Sequence, residues 1–513
     1  MKKRLPIGIS EFKEIIDGQY LYVDKTKILY ELLQGKQYFL SRPRRFGKTL
    51  LISTLEQIFL GNSKLFKDTW IGSSDYEWKK HPVIRLNFSG MDYSSAEKFE
   101  SSFNATLDAI ALKNGYSFPQ QFSFVTKFTF LMEQLSHSNP VVILIDEYDY
   151  PLITHVDNIE FSKQIKSVMQ NFFTTLKATE PYMHFSFLTG VSRFSKTSIF
   201  SGLNNLNDIT LDPLAADLLG YTQHDLENLL NQHVIDLAQE ESASVTDTYT
   251  KLKTWYNGYR FSKNELRVYN PFSIINVLTK LRFVHYWFGT GTPSFLIKLL
   301  PQYYSELENL KKYTFDEDAL ASSFEIGQLR LDLLLYQTGY LTISNYHDGI
   351  YSLDFPNQEV SVAFNTHIFG YLTHKNVIAV SQIVREMRKA FNLCNVQEIF
   401  EHLQTLFSTL PYQLHNKRES YYHSIVHTFL YALGIQPTSE NSTSKGRSDL
   451  VVETEHYIYI FEVKLDKSPQ AALDQIKDKN YAEPYLKLDK KIVLIGLNFS
   501  YEEKQMQIDY KNI

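Results

Sequence analysis

Short apolar runs alternate with longer helical patterns over residues 1–213, an order that predicts a parallel sheet with helices on its faces. Strands are expected at 38–40, 83–88, 141–145 and 185–189. Behind the first of them, Leu51, Leu55, Ile58 and Phe59 recur at helical spacing, and Gly61 stands just past the helix they predict. From 214 to 410 the texture turns helical. Leu218, Leu226, Leu229 and Leu230 share one helical stretch and Ile274, Ile275, Val277 and Leu278 another, with a turn signal in Trp255-Tyr256-Asn257-Gly258-Tyr259-Arg260 between them. A patch over 339–355 has strand character and a turn at Asp348-Gly349. From 411 to 513 the order is helix, strand, turn, strand, helix, strand. The helix over 419–433 carries Tyr422, Ile425, Val426, Phe429 and Leu433 on one face, with Gly434 as its C-cap. A polar loop over 439–447 leads into strands at 449–452 and 456–464, a helix over 471–481 and a strand at 492–495. Three domains are therefore expected: 1–213, α/β with a parallel sheet; 214–410, mostly helical; and 411–513, a compact α/β unit.

A length of 513 residues agrees with two or three domains. Aromatic residues are plentiful at 14%, with 34 Tyr and 36 Phe, and core packing accounts for them more simply than base stacking. The net charge of −5 gives no long-range field toward nucleic acid, so any such contact is local or assisted by metal. The single cysteine, Cys394, excludes a disulfide framework and a cysteine-based zinc cluster and suits a reducing cytosol. The basic start MKKRLPIGIS lacks the apolar core of a signal peptide, and no run approaches eighteen apolar residues. A cytoplasmic protein without a membrane partner is expected.

Chemistry first shows at Ser41-Arg42-Pro43-Arg44-Arg45-Phe46-Gly47-Lys48-Thr49, directly after the first expected strand. Strand, glycine-containing loop, Lys-Thr and helix together form a phosphate cradle, which points to a nucleoside triphosphate with magnesium. Gly47 lets the backbone approach phosphate, Lys48 reaches the β- and γ-oxygens, and the Thr49 hydroxyl suits magnesium. The P-loop pattern has glycine where this chain has Arg42. Val141-Val142-Ile143-Leu144-Ile145 reads as a buried parallel strand, and it ends in Asp146-Glu147. Asp146 would hold magnesium, and Glu147 would orient or deprotonate the attacking water. At the end of the next strand, Thr189 and Ser192 are candidates for sensing the γ-phosphate. Arg193 is a candidate for touching phosphate directly or across an interface, with an ordinary polar strand end as the alternative.

Six motifs are specific in combination: YVDKT (22–26), RPRRFGKT (42–49), LIDEYDYPL (144–152), LTGVSRFSKTSIFSGLNN (188–205), WYNGYRF (255–261) and GTGTP (289–293). Together they resemble the bacterial AAA-ATPase-like family, whose members carry a PD-(D/E)XK nuclease-like domain at the C-terminus. The resemblance covers nearly the whole chain. It implies a P-loop NTPase sheet over 1–213, a helical lid or linker over 214–410 and a PD-(D/E)XK-like domain over 411–513. The first P-loop glycine is commonly absent in that family, which implies a tighter, arginine-rich loop with Arg44 or Arg45 supplementing Lys48.

A second site is expected in the C-terminal domain. Alternation along a strand puts Glu462 and Lys464 on one face, and a hairpin through Thr454-Glu455 can bring Asp449 beside them. Two carboxylates and a lysine suit phosphodiester hydrolysis with Mg²⁺ or Mn²⁺, the Val463 carbonyl being a further ligand and Lys464 positioning water or stabilising phosphate charge. The resemblance implies Glu419 as the auxiliary acid and Gln475 as the auxiliary glutamine. Residues 411–513 hold 13 Lys and Arg against 14 Asp and Glu, so this domain lacks a basic footprint. His423 and His427 lack the glutamate a zinc protease needs, and Gly289-Thr290-Gly291 reads as a turn rather than a dinucleotide fingerprint. The expected function is an ATP-binding and ATP-hydrolysing protein whose nucleotide state regulates a metal-dependent nuclease, with DNA the favoured partner and a homo-oligomer left open. The alternative is an ATP-dependent switch or scaffold that binds nucleic acid or protein without cleaving it.

Overall fold

The computed structural model describes residues 2–513 apart from 120, 156–157, 194–204, 292–313, 321–329, 373–376, 409–418, 433–437, 440–441, 444–445, 448–449 and 504. Asp449, the Gly434 C-cap, most of the 188–205 motif and the end of the 289–293 motif lie outside the described residues. The chain is α/β and forms two compact units, one from described residues up to Asn357 and the other from Gln358 to Ile513.

The first unit is organised by β1 (Gln37–Ser41), β2 (Val83–Asn87), β3 (Val141–Asp146), β4 (Met183–Gly190) and β5 (Asn207–Asp208). They pair in the order β2-β3-β4-β1-β5, every pair parallel. Every residue of β1 and β3 is buried, as expected of parallel strands covered on both faces. The helix Lys48–Phe59 packs on β3, and the helices Ala96–Lys113, Phe124–Ser136 and Ile159–Ala178 pack on one another. Their contact is largely aromatic: Phe103 meets Phe88, Phe124 and Phe172 at 5.8, 5.3 and 4.8 Å between ring centroids. The abundant phenylalanine of this region therefore serves core packing.

Helices at Gln223–Leu229, Asn231–Glu240, Val245–Tyr256 and Pro271–Lys280 follow the sheet. They share a core with Leu5, Leu21 and Val23 from the start of the chain. Beyond them β6 (Thr314–Phe315), β7 (Thr342–His347) and β8 (Ile350–Asp354) form an antiparallel sheet in the order β6-β8-β7. Its β7–β8 turn is Asp348-Gly349 with φ of 49° and 84°, the left-handed pair that a two-residue hairpin turn needs.

The second unit contains the helices Gln358–Leu372, Val377–Asn392, Val396–Ser408 and Glu419–Ala432, followed by the C-terminal sheet. The helices before residue 409 thus group with the C-terminal sheet. One reason is local: Phe391 packs edge-on against Tyr459 at 5.0 Å, and its carbonyl accepts the Tyr459 hydroxyl at 2.5 Å. The strands are β9 (Thr438–Ser439), the small hairpin β10 (Ser442–Thr443) and β11 (Gly446–Arg447), then β12 (Leu450–Glu453), β13 (Tyr457–Leu465), β14 (Lys491–Ser500) and β15 (Gln505–Asn512). The main sheet runs β15-β14-β13-β12-β9, with β13 and β14 parallel and the other pairs antiparallel. The helix Pro469–Asp478 lays Leu473 and Ile476 onto Ile458, Ile460, Ile492 and Leu494.

Candidate functional sites

In the first unit β1 runs directly into the loop from Arg42 to Gly47, and the helix Lys48–Phe59 starts at once behind it. Gly47 has φ 96°, a left-handed backbone that a side chain disfavours, and it caps that helix. Residues of the later helical region hold the loop from outside. Phe46 meets Tyr259 and Phe261 edge-on at 4.8 and 5.3 Å, and the Trp287 indole N–H donates to the Arg44 carbonyl at 3.0 Å. The Arg45 guanidinium lies 5.0 Å over the Phe272 ring, while the Arg44 side chain is half-buried.

Arg42, where the P-loop pattern has its first glycine, is only 1% exposed. Its guanidinium donates to the carbonyls of Ser41 at 2.9 Å, Thr210 at 2.8 Å and Ala215 at 2.8 Å, and lies 4.2 Å from the centre of the Phe261 ring. Burial pushes its pKa down to about 10. The side chain is a pin beneath the loop, so the missing glycine reflects a different way of shaping the turn. Lys48 is also buried, and its Nζ donates to the carbonyls of Arg42 at 2.9 Å and Pro43 at 3.0 Å. Burial lowers its pKa against the opposing pull of Glu147, Asp146 and Asp149.

The acids stand at the tip of β3. The Thr49 hydroxyl donates to one oxygen of Asp146 at 2.7 Å and the Thr189 hydroxyl to the other at 2.6 Å. The hydroxyl at the start of the Lys48–Phe59 helix, the strand-tip acid and the hydroxyl of the neighbouring strand therefore meet at one point. Thr49 and Asp146 set two hard oxygen donors side by side, a set suited to magnesium. Glu147, next in sequence, is half-buried and has φ 51°, a left-handed backbone unusual for a residue with a side chain. Arg193 is buried, paired through its guanidinium with Asp208 of β5, and its backbone N–H donates to the Gln337 side chain at 2.8 Å. Its side chain is thus engaged with Asp208 rather than presented to solvent. Ser192 gives its hydroxyl to Asp149 at 2.7 Å. The partners of Asp149 lie just past the end of β4, so nothing in the motif around Asp149 points to them.

In the second unit Glu462 and Lys464 lie on the same face of β13, as alternation requires, and are 1% and 5% exposed. Lys464 Nζ donates to Glu462 at 2.7 Å and to Glu419, in the first turn of its helix, at 3.3 Å. The second Glu419 oxygen accepts the Leu465 backbone N–H at 3.2 Å, which ties that helix start to the end of β13. Val463 is buried. Gln475 reaches the Tyr481 hydroxyl at 3.4 Å. Asp449 lies outside the described residues; Leu450, immediately after it, pairs with Phe461. Among the described residues no group of three or more His, Cys, Asp or Glu side chains forms a metal cluster. Glu462 and Glu419 nonetheless offer carboxylate oxygens of the kind magnesium and manganese accept. Asn498, which the sequence did not single out, pairs with Lys464 across the parallel strands and accepts the Lys467 N–H at 2.9 Å.

Among the described residues no helix is long and apolar enough to cross a membrane. Residues 6–200 match the family model described as Predicted AAA-ATPase, and residues 417–508 match that of the PD-(D/E)XK nuclease superfamily. The chain is also 34% identical over 526 residues to a protein of Azotobacter chroococcum mcd 1 described as "Uncharacterized protein in vnfD 5'region", with 98% of each chain covered. The chain belongs to the predicted AAA-ATPase family and carries a PD-(D/E)XK nuclease superfamily domain at its C-terminal end.

Proposed function

We propose that the protein binds and hydrolyses ATP and that its nucleotide state regulates a C-terminal Mg²⁺- or Mn²⁺-dependent nuclease acting on phosphodiester bonds, with DNA as the substrate. The nucleotide half is supported by the meeting of Thr49 and Thr189 on Asp146 beside Lys48. Lys48 moves from its loop carbonyls to neutralise the β- and γ-phosphates, Glu147 orients the attacking water and takes its proton, and Thr189 reads the γ-phosphate position. Arg44 and Arg45 add positive charge at the loop rim, and Arg193 is released toward phosphate only if its pairing with Asp208 opens. Magnesium, held by Thr49 and Asp146, supplies charge neutralisation on the phosphates.

The single observation that carries the nuclease half is the buried Lys464 held between Glu462 and Glu419. Replacing such a buried ion pair by apolar side chains is often neutral or stabilising, so stability alone gives little reason for its presence. Lys464 positions the attacking water or stabilises charge on the scissile phosphate. A divalent cation held by Glu462, the Val463 carbonyl and Asp449, with Glu419 and Gln475 as auxiliary groups, supplies Lewis acidity toward that phosphate. The test is incubation of the purified protein with single- and double-stranded DNA and Mg²⁺ or Mn²⁺: product is expected from wild type and not from Lys464→Ala.

A second reading, an ATP-dependent scaffold that binds nucleic acid or protein without cutting, is favoured by the charge balance of residues 411–513, where 13 basic residues face 14 acidic ones. Retention of DNA or protein with no product under either metal supports it.

A further inference from the structure

Asp149 is 1% exposed and belongs to no role derived above. Its carboxylate accepts the backbone N–H of Val191 at 3.0 Å, the backbone N–H of Ser192 at 2.6 Å and the Ser192 hydroxyl at 2.7 Å. The residue before it is fastened to the same strand end. The Tyr148 N–H donates to the Thr189 carbonyl at 3.1 Å and the Tyr148 hydroxyl to the Ser192 carbonyl at 3.0 Å. Gly190 makes this closeness possible: a Cβ there would stand 2.6 Å from both Asp149 Oδ1 and the Tyr148 ring. On the other side of Glu147, Asp146 is held by Thr49 and Thr189. Glu147 thus lies between two anchored points, its own carbonyl accepting the Tyr150 N–H at 3.1 Å, and it has the left-handed backbone. Such a conformation persists only where its surroundings over-determine it.

We propose that Asp149 is a positioning residue for ATP hydrolysis: by clamping the Val191-Ser192 strand end, it holds Glu147 in the left-handed backbone that aims its carboxylate at the attacking water. The proposal rests on the ATPase reading above. In the step it serves, the water oxygen bonds to the γ-phosphorus, the bridging oxygen leaves with the bonding electrons on ADP, and the water proton passes to Glu147. Burial pushes the Asp149 pKa up, and the Ser192 and Val191 donors and the Lys48 charge oppose that shift.

Steady-state ATPase kinetics with Mg²⁺, alongside fluorescent-nucleotide binding, test this on the full-length chain. Asp149→Asn is expected to lower kcat about 10- to 100-fold while KM and nucleotide Kd stay within about twofold. Ser192→Ala, which removes one donor and leaves the two N–H groups, is expected to lower kcat by a smaller factor and covers the case in which Asp149→Asn fails to fold. In a Glu147→Gln background, Asp149→Asn is expected to cause little further loss, because both act on one step. Equal losses in kcat and nucleotide affinity, a kcat within twofold of wild type for both variants, or a full additional loss in the Glu147→Gln background overturns the proposal. Wild-type protein that binds ATP without turning it over removes the ATPase reading and this proposal together, a result distinct from turnover that Asp149→Asn preserves.

Discussion

Lys48 shows how a single side chain is read in two environments. Its ammonium is satisfied by the carbonyls of Arg42 and Pro43, and in the proposed nucleotide site the same charge would turn to phosphate oxygens. Lys48→Ala removes one charge-assisted contact of about 1.5–3 kcal/mol, and ATP binding measured by titration calorimetry is expected to weaken about 10- to 100-fold. A second residue-scale prediction concerns pH. His81 is 3% exposed, its Nδ1 lies 2.8 Å from the Pro140 carbonyl and its ring stacks on His184 at 4.0 Å. Burial lowers its pKa below the ordinary 6.5, with Lys79 adding to the shift and the Pro140 contact opposing it. The unfolded chain then takes up a proton near pH 6.5 while the fold resists it, so the His81 contribution is present above that pH and is lost as pH falls through the lowered folded value. Thermal midpoints between about pH 7.5 and 5 are expected to decline less steeply in His81→Gln than in wild type. Legibility at this scale follows the range of the contact. Glu462 and Lys464 could be placed together because a period of two is local, and Thr49 with Asp146 because a P-loop pattern carries its own geometry. Asp149 could not, since its donors lie 42 and 43 residues away and leave no spacing to read.

The elements that surround the phosphate loop explain the missing glycine better than the loop does. Arg42 reaches carbonyls 168 and 173 residues further along the chain, and Phe46 and Arg44 are met by Tyr259, Phe261 and Trp287. The WYNGYRF motif, legible as a turn and as a family motif but not for its contacts, thus supplies an aromatic wall for the loop. Restoring the common pattern is therefore predicted to harm the protein. Arg42→Gly strips three carbonyls of their donor and is expected to destabilise the first unit by about 3 kcal/mol, read from urea denaturation, without tightening ATP binding. The parallel sheet around this loop was legible from its buried apolar runs, whereas two-residue β5 and the final strand β15 were not. The first is too short to carry a period; the second does alternate, Gln505, Gln507 and Asp509 against Met506, Ile508 and Tyr510, but the repeat is brief and only Met506 is buried.

At the scale of the whole molecule, the AAA-ATPase match over residues 6–200 and the PD-(D/E)XK match over residues 417–508 fall in separate compact units of one chain. The helices Gln358–Leu372, Val377–Asn392 and Val396–Ser408 group with the nuclease-type sheet, a membership that helical periodicity could not express, because amphipathic faces do not name their partners. If nucleotide occupancy regulates cleavage, saturating ATP changes the wild-type cleavage rate and leaves that of Lys48→Ala unchanged. The most direct measurement is the rate of DNA cleavage by the full-length protein with Mg²⁺ or Mn²⁺, with and without ATP, for wild type, Lys48→Ala and Lys464→Ala. An ATP-regulated nuclease gives metal-dependent product from wild type that responds to ATP, product from Lys48→Ala that does not, and a rate at least about 100-fold lower from Lys464→Ala. Cleavage that survives intact in Lys464→Ala, or no product from wild type on either form of DNA with either metal, would contradict it.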